Sequence, residues 1–212
     1  MKMKIAVVDY GMGNISSVAN ALSRLDCNVQ ITNDIKEIKL ADGLILPGVG
    51  AFGKAVENLK SLNLFDSLKE IVIKEKKPIL GICLGMQLFA DFSYERGKHE
   101  GLGLIPGEVK KINTDGKNLL LPHVGWNSVE IKTKSPLYDE IENKSSFYFV
   151  HTYYYECDEK YIFGKVNYGN LITASIQKDN VFGVQFHPEK SQTNGLILLD
   201  NFKSEIQKTH NG

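Results

Sequence analysis

Cys83 stands in Gly81-Ile82-Cys83-Leu84-Gly85, a G-x-nucleophile-x-G pattern with sulfur in place of a hydroxyl. A buried apolar run precedes it and a helical spacing follows it. That order describes a sharp strand-to-helix turn, in which flanking side chains would clash and glycine does not. Such a turn lifts the sulfur above the sheet and sets it at a helix N-terminus. There the helix dipole favours the thiolate, the reactive form of a thiol. The same five residues also describe an unreactive cysteine in a strand-helix turn, so the pattern needs companions.

Two companions exist. Gly183-Val184-Gln185-Phe186-His187-Pro188-Glu189-Lys190-Ser191 follows a second apolar run. Pro188 biases His187 toward an extended backbone, where residues i and i+2 point the same way. Glu189 can then accept one ring N–H of His187 and leave the other nitrogen for Cys83, as base and orienting group for a nucleophile. Alone, the pair reads equally well as a surface histidine with a solvated glutamate. The other companion is Pro47-Gly48-Val49-Gly50, a glycine turn after a third apolar run. Its exposed N–H groups at Gly48, Val49 and Gly50, with the amide of Leu84, have the form of an oxyanion hole. It too has a bland reading, as an ordinary strand-to-helix turn. All three motifs fall at the C-terminal ends of strands of one inferred sheet, where ligands bind in open α/β folds.

The elements that would carry them follow from periodicity. Strands are expected at Lys4–Asp9, Asn28–Thr32, Asp42–Leu46 and Lys77–Gly81. Helices are expected at Ile15–Leu25, Ala51–Ser61, Leu64–Lys74 and Leu84–Phe92. This alternation means βαβ units and a mainly parallel sheet. The second half reads as short strands at Leu102–Leu104, Val109–Asn113, Lys117–Leu121, Ser128–Ile131, Phe147–Val150, Tyr153–Cys157, Tyr161–Val166, Leu171–Gln177 and Val181–Gln185, adding antiparallel pairs. A final helix, Gly195–Gln207, carries Leu196, Leu199, Phe202 and Ile206 on one face. The fold class is α/β, a mixed sheet flanked by helices. No repeat or linker divides residues 1–212, so one domain is expected.

Composition bounds the function. Twenty-five basic residues balance 25 acidic ones, which disfavours a general nucleic-acid or anionic-membrane binder. Cys27, Cys83 and Cys157 are too few and too scattered for a disulfide framework or a zinc site. The longest uncharged apolar stretch, Pro78–Ala90, is far short of the ~20 residues that span a bilayer. No secretory leader is apparent, and a cytoplasmic setting is expected. Tyr10-Gly11-Met12-Gly13-Asn14 begins a dinucleotide fingerprint but has Ser16 where its last glycine belongs. No cofactor or metal is implied.

Taken together, Pro78-Ile-Leu-Gly-Ile-Cys-Leu-Gly-Met-Gln-Leu-Phe89, Phe186-His-Pro-Glu189 and the Pro-Gly-x-Gly turn resemble the class I glutamine amidotransferases. Asp9-Tyr-Gly-Met-Gly-Asn-Ile15, Pro122-His-Val-Gly-Trp-Asn127, Phe147-Tyr-Phe-Val-His-Thr-Tyr153 and Gln185-Phe-His-Pro-Glu-Lys-Ser191 narrow the resemblance to the HisH family. These are the glutaminase subunits of imidazole glycerol phosphate synthase. The resemblance spans residues 4–203. It implies that Cys83 attacks the side-chain amide of L-glutamine, that His187 moves the proton and that Glu189 holds the imidazole. A glutamyl thioester forms and is hydrolysed. Ammonia then passes to a separate HisF-type (β/α)8-barrel synthase subunit in a heterodimer. By the same resemblance Gln87, Thr152 and Tyr153 bind glutamine, and Asn14, Trp126, Tyr148 and Lys190 face the partner. It also implies an oxyanion hole that forms only on activation, a rearrangement that Gly48 and Gly50 permit.

Other readings stay open. Either His123 or His151 could pose as the catalytic base; His151, after the apolar run Phe147–Val150, reads as structural or substrate-lining. His99 and His210 read as solvated, and Cys27 and Cys157 as inert. The same glutaminase chemistry could feed a partner that forms an amidine on a surface-polysaccharide sugar; Gln177–Gly183 and Ser191-Gln192 have some likeness to that branch. A stand-alone γ-glutamyl hydrolase would be fully active without a partner. A non-catalytic scaffold would have no need of Cys83, His187 and Glu189 together.

Overall fold

The computed structural model describes residues 2–116 and 118–210, without the side chain of His210. The strands are β1 (Lys4–Val8), β2 (Asn28–Thr32), β3 (Gly43–Leu46), β4 (Ile79–Ile82), β5 (Phe92–Ser93), β6 (His99–Glu100), β7 (Glu108–Lys111), β8 (His123–Ile131), β9 (Ser146–His151), β10 (Tyr153–Glu156), β11 (Ile162–Tyr168), β12 (Asn170–Lys178) and β13 (Val181–Val184). The helices are α1 (Ile15–Ser23), α2 (Ile35–Leu40), α3 (Phe52–Ser61), α4 (Leu64–Lys74), α5 (Leu84–Gln87) and α6 (Gln192–His210).

Nine strands form the main sheet in the order β2-β1-β3-β4-β13-β12-β11-β8-β9. The first five are mutually parallel. Each later neighbour is antiparallel to the one before. Two reversals restore direction, so β11 and β9 run with the parallel block and only β12 and β8 run against it. The C-terminal ends of β1, β3, β4, β13 and β9 therefore share one edge with the N-terminal end of β8. A smaller sheet, β10-β7-β5-β6, stands beside that edge, and the chain steps into it from β9 to β10 through Thr152 alone.

The inner parallel strands β1, β3, β4 and β13 are almost wholly buried and apolar on both faces, as helices on both sides require, while β2 at the sheet edge is partly exposed. Ala6, Val8, Leu44, Leu46 and Ile79 pack toward α3 and α4. The alternate residues Ile5, Val7, Ile45, Leu80 and Ile82 pack toward α1 and α6. Leu199, Phe202 and Ile206 of α6 are fully buried there and Leu196 partly so, the face expected from their spacing.

Several elements depart from the expected ones. The helix expected at Leu84–Phe92 ends at Gln87, because other backbone takes its carbonyls. Leu102, Gly103 and Leu104 donate to the carbonyls of Leu88, Ala90 and Phe89 at 2.7, 3.0 and 2.9 Å. A Cβ on Gly101 would sit 2.1 Å from the Ala90 oxygen, so only glycine admits this approach. Leu102–Leu104 is thus a cap for α5 and not a strand. Residues 118–121 are not strand either, and Lys117, the first residue of that expected strand, lies outside the described residues. β8 begins five residues earlier than expected, at His123. Helix α2 was not expected; Asp34 caps it by accepting the Lys36 N–H.

Candidate active site

Cys83 follows β4 directly and holds φ +55° and ψ −109°, a conformation that costs an L residue roughly 1–3 kcal/mol. The turn is set from both sides. Cys83 N–H donates to the Val184 carbonyl at 2.8 Å, and the Gln87 N–H donates back to the Cys83 carbonyl at 3.2 Å. Gly85 is obligatory, since a Cβ there would lie 1.7 Å from the Leu46 carbonyl oxygen at the end of β3.

The register of β13 on β4 pairs Val184 with Ile82, so the chain beyond β13 runs past the sulfur. Gln185 is fully buried and its Nε2 lies 3.7 Å from Cys83 Sγ. His187 comes next on that side. Its backbone is extended as expected, but Pro188–Lys190 then form one 3-10 turn. That turn, and not a continued strand, sets Glu189 beside the ring. His187 Nδ1 donates to Glu189 Oε1 at 2.8 Å, with both side chains almost wholly buried. Burial alone would push the imidazole pKa down. Hydrogen bonds to Cys83 and Glu189, and attraction to their charges, outweigh it and raise the pKa to about 10. Glu189 Oε2 is buried without a hydrogen-bond partner among the described residues. The segment is anchored to β9 by His187 N–H to the Tyr148 carbonyl (2.8 Å), and by Ser191 Oγ, which donates to the His187 carbonyl (2.6 Å) and accepts from the Tyr148 N–H (3.0 Å).

A cavity of about 230 Å³ opens over the sulfur. Val49, Gly50, Cys83, Leu84, Gln87, Thr152 and Tyr153 are among its lining residues. The structure therefore brings these residues together at one cavity, while Gly48, His187 and Glu189 are not among its lining residues. The turn after β3 has a specific conformation. The Leu84 N–H donates to the Gly48 carbonyl at 3.3 Å, so a carbonyl occupies the donor expected of an oxyanion hole. Tyr10 Oη donates to the Pro47 carbonyl at 2.7 Å and holds the turn in place.

Two residues at the site went unmarked in the sequence. Glu95 lines the cavity and accepts the Phe52 N–H at the start of α3, at 2.7 Å. Gln185 bridges Cys83 and Gln87, its Oε1 accepting from Gln87 Nε2 at 2.9 Å. Both arrive by contacts far apart in sequence, and only the position of Gln185 two residues before His187 hinted at its place. Of the residues expected at a partner face, Trp126, Tyr148 and Lys190 form one cluster. The Trp126 and Tyr148 rings meet edge-on at 6.1 Å, and Lys190 Nζ lies 5.7 Å from the Tyr148 ring. Asn14 is apart from them, exposed at the start of α1. His99, expected to be solvated, is half-buried with its ring 6.5 Å from Phe52. Cys157 is pushed up to about pKa 12, chiefly by burial and further by Glu159 and Asp158.

A strand-end cysteine and a buried His–Glu pair on a parallel sheet are features of a known class. The family model for class-I glutamine amidotransferases matches residues 6–204. Solved structures show the same fold: PurLQS from Thermotoga maritima superposes with a TM-score of 0.72 at 20% identity, covering 99% of this chain and 100% of that one. Similarity in sequence is far higher to "Imidazole glycerol phosphate synthase subunit HisH 1" of Campylobacter jejuni (strain RM1221), 52% identical over 93% of this chain and 98% of the relative. The "Imidazole glycerol phosphate synthase subunit HisH" of Pelagibacter ubique (strain HTCC1062) is 42% identical over 94% and 99%. The chain belongs to the class-I glutamine amidotransferase family, in its HisH group.

Proposed function

We propose that this chain, as one amidotransferase domain over residues 1–212, is the glutaminase subunit of an imidazole glycerol phosphate synthase. It hydrolyses L-glutamine to glutamate and ammonia, and a HisF-type barrel subunit uses the ammonia in histidine biosynthesis. The observation that carries the reading is the strained Cys83 at the mouth of a cavity, backed by a buried His187–Glu189 pair.

The chemistry follows from the positions. Cys83 Sγ attacks the side-chain amide carbon of glutamine. His187 Nε2, the nitrogen not held by Glu189, takes the thiol proton and delivers it to the departing nitrogen, which leaves as ammonia. A glutamyl thioester remains. Water attacks it, the proton passes through His187 back to sulfur, and glutamate leaves. Glu189 fixes the ring and stabilises its charged form. Glutamine is a zwitterion, and the Glu95 carboxylate in the cavity wall suits its ammonium group. Gln87 and the Thr152–Tyr153 backbone suit its polar ends. Amides at Val49, Gly50 and Leu84 stabilise the tetrahedral oxyanion once the Gly48 carbonyl has turned away. Asn14, Trp126, Tyr148 and Lys190 form the partner face. A closed route for ammonia has a physical reason, since ammonia in bulk water near neutrality is mostly protonated and no longer nucleophilic. Among the described residues no helix is long and apolar enough to cross a membrane.

Glutamate release by the purified chain with its barrel partner tests the reading. Cys83→Ala is expected to abolish release and leave partner binding intact. Retained hydrolysis in that variant would sink the mechanism. Supplying the partner with the phosphoribosyl intermediate of imidazole formation, or with a sugar nucleotide, identifies which acceptor receives the nitrogen.

A further inference from the structure

His123 and His151 face each other across the β8–β9 pair and are both buried. Their nitrogens are 3.0 Å apart, His123 Nδ1 to His151 Nε2. The groups at the two ends of this contact have fixed polarity, and that decides where the protons lie. At one end, His151 Nδ1 is 2.9 Å from the Tyr153 carbonyl oxygen, which can only accept, so Nδ1 carries a hydrogen. At the other end, Asn127 is oriented by two backbone groups. Its Oδ1 accepts the Ser128 N–H at 2.8 Å and its Nδ2 donates to the Asn167 carbonyl at 2.9 Å. The same Nδ2 lies 3.3 Å from His123 Nε2, which must therefore accept. With one proton each, His123 donates through Nδ1 to His151, and His151 donates through Nδ1 to Tyr153. A further proton on either ring would set donor against donor. Burial agrees, holding the pKa of His123 down at about 4 and that of His151 at about 3.

The line continues past Tyr153. Gln87 Nε2 donates to the same Tyr153 carbonyl and to Gln185 Oε1, both at 2.9 Å. Both of its hydrogens are then used, and Gln87 Oε1 is the only polar atom of that side chain left for a ligand. Gln185, with its oxygen occupied, turns Nε2 to Cys83 Sγ at 3.7 Å. From Asn127, next to Trp126 on β8, every hydrogen bond to the sulfur has one permitted direction.

We infer that His123 and His151 are positioning residues: their one-way hydrogen-bond relay, which starts at Asn127 on β8, fixes the Tyr153 carbonyl and, through that shared acceptor, the Gln87 amide in the cavity. The inference rests on the glutaminase reading above for its substrate. The His123 ring is also stacked between Tyr168 and Phe149, with centroids at 4.1 and 5.0 Å, so a purely packing role is the rival explanation.

Two substitutions separate the roles in the partner complex. His123→Phe keeps a ring in the stack and removes both nitrogens. His123→Asn gives up the stack but places an N–H where Nδ1 stood. The relay predicts a rise in KM for glutamine of about tenfold in His123→Phe with kcat within about twofold, and a KM within about threefold of wild type in His123→Asn. The reverse order would overturn it. Long-range proton–nitrogen NMR of the wild-type chain needs no variant to fold: both rings are expected neutral with the hydrogen on Nδ1, and a hydrogen on Nε2 of either ring refutes the relay. Iodoacetamide labelling of Cys83 is expected at equal rates in all three proteins. If wild type itself hydrolyses no glutamine with its partner, the functional reading fails while the NMR result still decides the relay.

Discussion

Two opposed effects meet at His187, and their balance sets a pH dependence. Burial disfavours the imidazolium, and the acidic neighbours on both sides favour it; the second effect wins, raising the pKa from 6.5 to about 10. A raised folded-state pKa stabilises the fold fully below the unfolded value and loses that contribution as pH rises toward 10. Glu189→Gln keeps an acceptor for the Nδ1 hydrogen and removes the charge. The stability gap between wild type and Glu189→Gln is therefore expected to be large at pH 6 and to shrink or reverse near pH 10. Above that pH the wild type keeps the Glu189 side chain buried beside a neutral ring, with one of its oxygens lacking a hydrogen-bond partner among the described residues. Urea unfolding at both pH values measures this, and a gap that does not change with pH would remove Glu189 from the causes of the shift, leaving Cys83. At this scale the sequence was informative where chemistry and backbone constraint coincide. Cys83 sits between glycines that the turn requires, and His187 precedes a proline. Glu95 and Gln185 have no such signature. What makes them part of the site is a contact with Phe52 in one case and with Gln87 in the other, and contacts between distant residues leave no local pattern.

Among the elements, the turn between β3 and α3 has the most to move. Its Gly48 carbonyl holds the Leu84 N–H, and an oxyanion needs that N–H free. The proposed hydrolysis thus requires a peptide rotation before the transition state can be stabilised. Tyr10 opposes the rotation by donating to the Pro47 carbonyl from the end of β1. Tyr10→Phe removes this single bond and little else, since the ring is fully buried in the core. It is expected to cost about 1 kcal/mol of stability, the net worth of one hydrogen bond, and to raise hydrolysis in the absence of the partner severalfold. Thermal unfolding and an unpartnered glutamate assay test both halves; unchanged or lower basal hydrolysis would show that Tyr10 does not restrain the turn. The inner parallel strands β1, β3, β4 and β13 were legible because burial on both faces leaves them almost purely apolar. The second half was less so. Leu102–Leu104 is apolar enough for a strand, yet its N–H groups are spent on the carbonyls that end α5. In β8 the early residues carry no local strand pattern, because Gly125, Trp126 and Asn127 break the apolar run, although they pair in register with Phe149, Tyr148 and Phe147.

For the molecule as a whole, the balance of 25 basic and 25 acidic residues suits the proposed reaction, which takes in a zwitterion and passes on a neutral product. A strong field would help neither. Association with a partner then has to rest on local surface, and the edge of the sheet that carries the cavity supplies it. Val124 and Trp126, two residues apart on one face of β8, are 56% and 49% exposed, and Leu120 just before the strand is 83% exposed. An aromatic side chain half in solvent beside Tyr148 and Lys190 has the form of an interface anchor, the kind of residue whose truncation costs 2 kcal/mol or more, roughly thirtyfold in affinity. Its exposure limits what truncation can do to the fold. Trp126→Ala is therefore expected to weaken binding of the proposed barrel subunit by about thirtyfold while the melting temperature shifts by only a degree or two. Glutamine hydrolysis should recover at saturating partner, because the cavity is untouched. Titration calorimetry and thermal unfolding of the same preparation separate the two effects. An unchanged Kd would take Trp126 out of the interface, and a large loss of stability would make it a packing residue of the β8–β9 pair instead.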